Sequence, residues 1–328
     1  MSSHTTATAA DPSPIVNVAT GFMAAKQLFA AGEVGVFAAL ADGPLTPAEL
    51  AGRTGIPERS ARILADAMAG LGLLAFDGGR YRNEAAADAY LTGREGAPDL
   101  RAFLTFWDQV SYPHWRSYTD SVRAAAPSPF DTSAPVGEDV FRDGVTAYNA
   151  LHALMLAEHY DFGAHTRVAD LAGLSVEFVV QAAARNPRLH AVFVAPDPPD
   201  PSSVDERYRD RVAFHTADPR TDPVPGRYDL VLLEHVAHRF DADDNRAFLR
   251  RAREIVEPGG RLLLVDFFLD AADGRGLDPL LAGEYLVVDG TVVHPEDEAR
   301  GWLAETGWRW LETRELPGSP RALIAETV

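Results

Sequence analysis

The 328-residue chain has no cysteine, which excludes disulfides, thiolate nucleophiles and cysteine-ligated metals. It has one lysine, Lys26, so its other side-chain cations are arginines. Acids outnumber bases to a net charge of -18, which argues against nucleic acid or an anionic membrane as the main partner. No apolar run approaches the roughly 18 residues that cross a bilayer. Residues 1–14 are polar and small, without a cationic start or an apolar stretch, and read as a flexible tail rather than a signal peptide. A cytoplasmic location is the expectation. The most telling shortage is local: Asp170-Leu171-Ala172-Gly173-Leu174-Ser175-Val176 holds one glycine where a strand turns into a helix. Loops that lay their backbone against a nucleotide usually carry several.

What is present divides the chain. Residues 15–97 read as a small helical domain. Val16 to Leu40 is helical, with an apolar face of Phe22, Leu28, Phe29, Val36, Phe37 and Leu40. Thr46-Pro47-Ala48-Glu49 is a capping box with proline at the first helical position. The next helix runs from Pro57 to Gly70, with Ile63, Leu64, Ala67 and Met68 inward, and 73–82 forms a hairpin around Asp77-Gly78-Gly79. This order is a winged helix. Arg53, Arg59 and Arg62 could serve DNA, but the acidic balance favours a packing or dimerisation module.

Residues 98–164 read as linking helices with a Pro/Ser-rich break at 124–137. Trp107, Asp108, Tyr112, His114 and Trp115 are crowded enough to line a substrate pocket, joined by Tyr148 and His152 further on. From 165 to 328 strand and helix alternate: Val168–Leu171, Ala191–Ala195, Arg211–His215, Tyr228–Leu233 and Arg261–Phe267 are strands. Asp243–Val256 is a helix halted by Pro258-Gly259-Gly260, and 308–327 closes as a hairpin. This alternation means an α/β, doubly wound, mostly parallel sheet.

Several stretches together carry a family resemblance: the winged-helix start, Ala157-Glu158-His159-Tyr160-Asp161-Phe162, Asn186-Pro187-Arg188-Leu189, Tyr228-Asp229-Leu230-Val231-Leu232-Leu233, His235-Val236-Ala237-His238-Arg239-Phe240-Asp241, and Glu257-Pro258-Gly259-Gly260 leading to Asp266. Over about residues 20–327 the chain resembles the class I S-adenosylmethionine-dependent methyltransferases, small-molecule O-methyltransferase type. The resemblance implies a Rossmann-like sheet, a winged-helix homodimerisation domain and a small-molecule substrate. It places the cofactor among Asp170, Gly173, Asp197 and Asp218, and a general base at His238, with His235 and Glu234 as further candidates. Glu284 and Tyr285 fall where the family covers its substrate, and Phe267 joins the substrate-pocket candidates. Many members have aspartate where Arg239 stands.

The departures concern one ligand. Leu174 and Val176 stand where members have glycine, and Ala195 stands where an acid would hold the ribose, with Asp197 two residues late. The expectation is therefore an enzyme that keeps the fold, has lost methyl transfer and needs no cofactor. Such an enzyme would close a ring or eliminate a leaving group that the substrate itself carries, with His238 as base. The alternatives are an active S-adenosylmethionine-dependent O- or N-methyltransferase, and a non-catalytic scaffold bound to a pathway enzyme. His235 and His238 lack a third ligand at recognisable spacing, so no metal is expected.

Overall fold

A computed structural model describes residues 10–129, 137–270 and 276–328. The chain forms two compact units, residues 1–110 and 111–328.

In the first unit the leading helix spans Ser13–Glu33, three residues earlier than the periodicity marks. It stops at Gly35, whose left-handed backbone (φ 77°) starts the short helix Val36–Ala39. The helix Pro47–Thr54 has the predicted capping box, with the Glu49 amide donating to Thr46 Oγ1 and the Thr46 amide to the Glu49 carboxylate. Helix Glu58–Gly70 and the hairpin β1 (Leu74–Asp77) and β2 (Arg80–Asn83) complete the winged helix. Its core is Phe37, Leu50, Met68 and Tyr81. Ile63 does not turn inward; Ala61 and Ala65 take the buried positions on that helix, and Ile63 and Phe22 are exposed. Arg53 and Arg62 are paired with Asp42 and Asp66.

The second unit is built on a seven-stranded sheet of β3 (Arg167–Leu171), β4 (His190–Ala195), β5 (Val212–Thr216), β6 (Tyr228–Glu234), β7 (Val256–Asp266), β8 (Trp308–Glu315) and β9 (Arg321–Thr327). The spatial order is β5-β4-β3-β6-β7-β9-β8, with β3 to β7 parallel and β9 antiparallel to both neighbours. Parallel strands are covered on both faces, which is why Leu230–Leu233 and Leu262–Val265 are unbroken apolar runs. Pro258-Gly259-Gly260 lies inside β7 rather than after a helix. Helix Ala242–Ile255 passes straight into Val256, which pairs with Tyr228, and the register then shifts before Arg261 pairs with Leu230. The order of the sheet reverses between β3 and β6, and ligands of open α/β sheets bind at that crevice, beyond the carboxyl ends of the strands.

Candidate active site

The turn after β3 meets that crevice. Ala172 takes a left-handed backbone (φ 58°), uncommon for a residue with a Cβ, and its amide donates to Val194 O at 2.8 Å. Gly173 has no such freedom to change: a Cβ there would come within 2.3 Å of Glu234 Oε1 and 2.6 Å of Asp170 Oδ1. The sequence expectation that Leu174 and Val176 fill the cradle is corrected here. Leu174 is 45% exposed, and Val176 is half-buried against the hydrophobic core. A cavity of about 420 Å³ remains, lined by Ala172, Gly173, Leu174, Ala195, Asp197, Asp218, Arg220, Arg239 and Phe240 among others. That lies in the usual range of small-molecule sites, roughly 300–1,000 Å³. Asp197 is exposed at its rim. Asp218 is engaged, its carboxylate taken by Arg220 through Nε (3.1 Å) and Nη2 (2.8 Å).

Beneath the cavity lies a buried charge cluster. Asp170 and Glu234 are fully buried. Glu234 Oε1 accepts from the Ser175 amide at 2.8 Å, so this further candidate base is bound to the loop after β3. Burial, and then the neighbouring Asp170, push its carboxyl well above the usual range. Burial does the same to Asp170, opposed by Arg239. Two carboxyls this close cannot both ionise freely. Among the described residues, both oxygens of Asp170 and Glu234 Oε2 lack a hydrogen-bond partner.

Beyond β6 and β7 the candidate base has a partner. His238, on the short turn Ala237–Arg239, shares its Nδ1 with Asp266 at the end of β7 (2.9 Å to Oδ1). Asp266 is fully buried and also accepts from the amides of Phe267 (2.8 Å) and His238 (3.2 Å). Burial works to raise its carboxyl, but the His238 ring holds it below its ordinary value. An ionised Asp266 can only accept, so the proton stays on Nδ1 and the lone pair of His238 is on Nε2. The Tyr285 ring stacks on the imidazole with centroids 4.3 Å apart.

His235 has a strained left-handed backbone (φ 52°) and shares a 2.9 Å hydrogen bond from Nε2 to Nδ1 of His152. Burial drives the His235 imidazole down to about 4, so it is neutral and unsuited to act as base at neutral pH. Tyr148 and Phe267 pack on His152. The structure thus brings Tyr148, His152, His235, His238, Phe267 and Tyr285 together. Donor atoms of His235, His238 and Asp266 lie within 4.8 Å of one another, a third ligand that sequence spacing did not reveal. His238 Nδ1 and Asp266 are engaged with each other, however, and His235 Nε2 with His152.

The remaining pocket candidates lie elsewhere. Trp115 Nε1 and Ser111 Oγ both donate to the buried Glu284 (2.5 and 2.7 Å), and His114 is buried and Tyr112 half-buried on the same short helix. Trp107 and Asp108 belong to the first unit, where Trp107 packs edge-on to Phe103 and Asp108 pairs with Lys26. Only residues 125–129 and 137 of the break at 124–137 after Ala124 are described; 130–136 lie outside the described residues.

The O-methyltransferase domain model matches residues 123–309, and the O-methyltransferase dimerisation domain model matches 16–93. The chain belongs to the O-methyltransferase family. Among relatives of this family, the 3-hydroxy-5-methyl-1-naphthoate 3-O-methyltransferase of Streptomyces sahachiroi is 30% identical over 84% of this chain and 83% of its own. The N,N-dimethyltransferase OxyT of Streptomyces rimosus is 30% identical over 90% of each. The crystal structure of the S-adenosylmethionine-dependent methyltransferase SibL in its apo form matches with a TM-score of 0.82 at 28% identity, over 97% of this chain and 99% of that one.

The family implies S-adenosylmethionine, and the residues present fit it. The cavity is open, Gly173 keeps the backbone bare at the crevice, and the buried acids Asp170 and Glu234 close to Gly173 leave acceptor oxygens unpartnered. Ala195 contributes no acid for the ribose, and Asp197 is the exposed acid on that wall. Sequence reasoning missed how Arg239 is used and that Asp266 is the partner of His238. The position of Asp266 as the last residue of β7, at the carboxyl end of a parallel strand, was the available signal.

Proposed function

We propose that the protein transfers a methyl group from S-adenosylmethionine to a hydroxyl or amine of a small molecule in natural-product biosynthesis. The reading rests on the His238–Asp266 pair beside an open crevice cavity, and the relatives' activities support it. Asp170, Gly173 and Asp197 would hold the cofactor, which when bound supplies an electrophilic methyl group. His238 Nε2 takes the proton of the acceptor, and Asp266 fixes the imidazole and balances the charge it gains. Such a base is worth about 10²- to 10⁴-fold. Tyr148, His152, Phe267 and Tyr285 shape the acceptor side. The expectation of a lost cofactor depended on a filled cradle, and with the cradle open only Ala195 speaks for it. A scaffold would have no use for a buried, oriented base. The working form is a homodimer through the first unit, in the cytoplasm.

Calorimetric titration of the folded protein with S-adenosylhomocysteine tests the reading. Saturable binding below about 1 mM supports it. Absence of heat from the folded protein up to about 1 mM ligand removes methyl transfer and returns the ring-closing and elimination chemistries.

A further inference from the structure

Arg239 lies on the wall of the crevice cavity, and its donors go to main-chain carbonyls. Nε donates to His235 O at 2.5 Å and Nη2 to Ala172 O. The residues of these carbonyls directly follow the two strands, β6 and β3, between which the sheet order reverses. Both belong to non-glycine residues in the left-handed region. Below them stand Asp170 and Glu234, whose free oxygens have no hydrogen-bond partner among the described residues. Two carbonyls with two acids near enough to act on a charge there make a site for a cation, and the chain's own guanidinium occupies the carbonyls.

We propose that Arg239 is an internal cation that competes with the ammonium end of the cofactor for the carbonyls of Ala172 and His235 and the acids beneath them, so that cofactor binds only when the guanidinium moves aside. The inference rests on S-adenosylmethionine being the ligand. It makes Arg239 a determinant of cofactor affinity: its charge weakens ligands with a cationic amino-acid end and leaves the nucleoside end of the cavity untouched. The side chain is half-buried, and Asp197 at the rim of the same cavity offers an acid to a displaced guanidinium.

The test compares the full-length protein with Arg239→Ala and with Arg239→Gln, which removes the charge but keeps most of the side chain and an N–H donor, and so guards against misfolding of the first variant. Each is titrated with S-adenosylhomocysteine, which carries the ammonium, and with adenosine, which lacks it. Tightening of S-adenosylhomocysteine by at least about tenfold in both variants, with adenosine unchanged, is the expected result. Weaker S-adenosylhomocysteine binding in the variants would show that Arg239 holds the ligand's carboxylate, and overturns the proposal. Binding by the wild type that the variants leave unchanged overturns it while methyl transfer stands. If neither wild type nor variants bind S-adenosylhomocysteine, both readings fall.

Discussion

At the scale of the residue, chemistry in this protein is decided by which proton stays where. Asp266 holds the proton of His238 on Nδ1, so His238→Ala should lower kcat about 10²- to 10⁴-fold while the affinity for S-adenosylhomocysteine is retained. His235 is the opposite case, a buried imidazole kept neutral. Its value of about 4 lies below the ordinary 6.5, so the unfolded chain takes up its proton first as the pH falls. The contribution is intact above 6.5 and lost as pH drops towards 4, roughly 3 kcal/mol in all. Asp170 and Glu234, raised by burial, work with the opposite sign. The His235 share is therefore read as the difference from His235→Asn, since asparagine tolerates the left-handed backbone. Denaturant titrations over this range should show a flatter acid limb for the variant; parallel limbs would refute the assignment. Ala172→Gly relieves a strained backbone and should add about 0.5–1 kcal/mol in the same measurement.

At the scale of the element, the strands were the most legible part, because a strand buried on both faces must be an apolar run with defined ends. The capping box at Thr46 was equally plain, being a local contact between residues three apart. The turn after β3 was not. Whether Leu174 fills or leaves a cradle depends on the backbone angles of Ala172, and sequence does not print those. The contact of Glu234, a candidate base in the sequence, was hidden for a similar reason: it ends the same strand that leads to His238, yet its partner is the Ser175 amide 59 residues earlier. Arg239 was opaque because its acceptors are carbonyls, which every residue has. The helix Leu277–Val288, which carries Glu284 and Tyr285, is tied down by Arg321 of β9. That guanidinium donates to Asp278 (2.7 Å) and Glu296 (3.1 Å), all three buried. Arg321→Met removes the guanidinium that the two buried acids share, leaving Glu296 to Arg300 and Thr313, and should cost about 3–5 kcal/mol. A midpoint within error of wild type on thermal unfolding would show that the network is redundant.

At the scale of the whole molecule, the first unit exposes Ile15, Val16, Val18, Phe22 and Met23 along one helix, more apolar surface than a winged helix keeps in water. With the dimerisation-domain match, the expected mass by light scattering is twice 35.5 kDa. Val18→Glu/Phe22→Glu should return it to a single chain, and a wild-type monomer would defeat the homodimer. The acidic balance and the pairing of Arg53 and Arg62 leave this unit little to offer DNA.

The same helix carries the only side-chain amine in the sequence, Lys26, paired with Asp108 yet 41% exposed. An amine-reactive dye therefore has one lysine to find, and none lies in the crevice. Two copies labelled with different dyes would report their association by energy transfer, without adding or removing a residue.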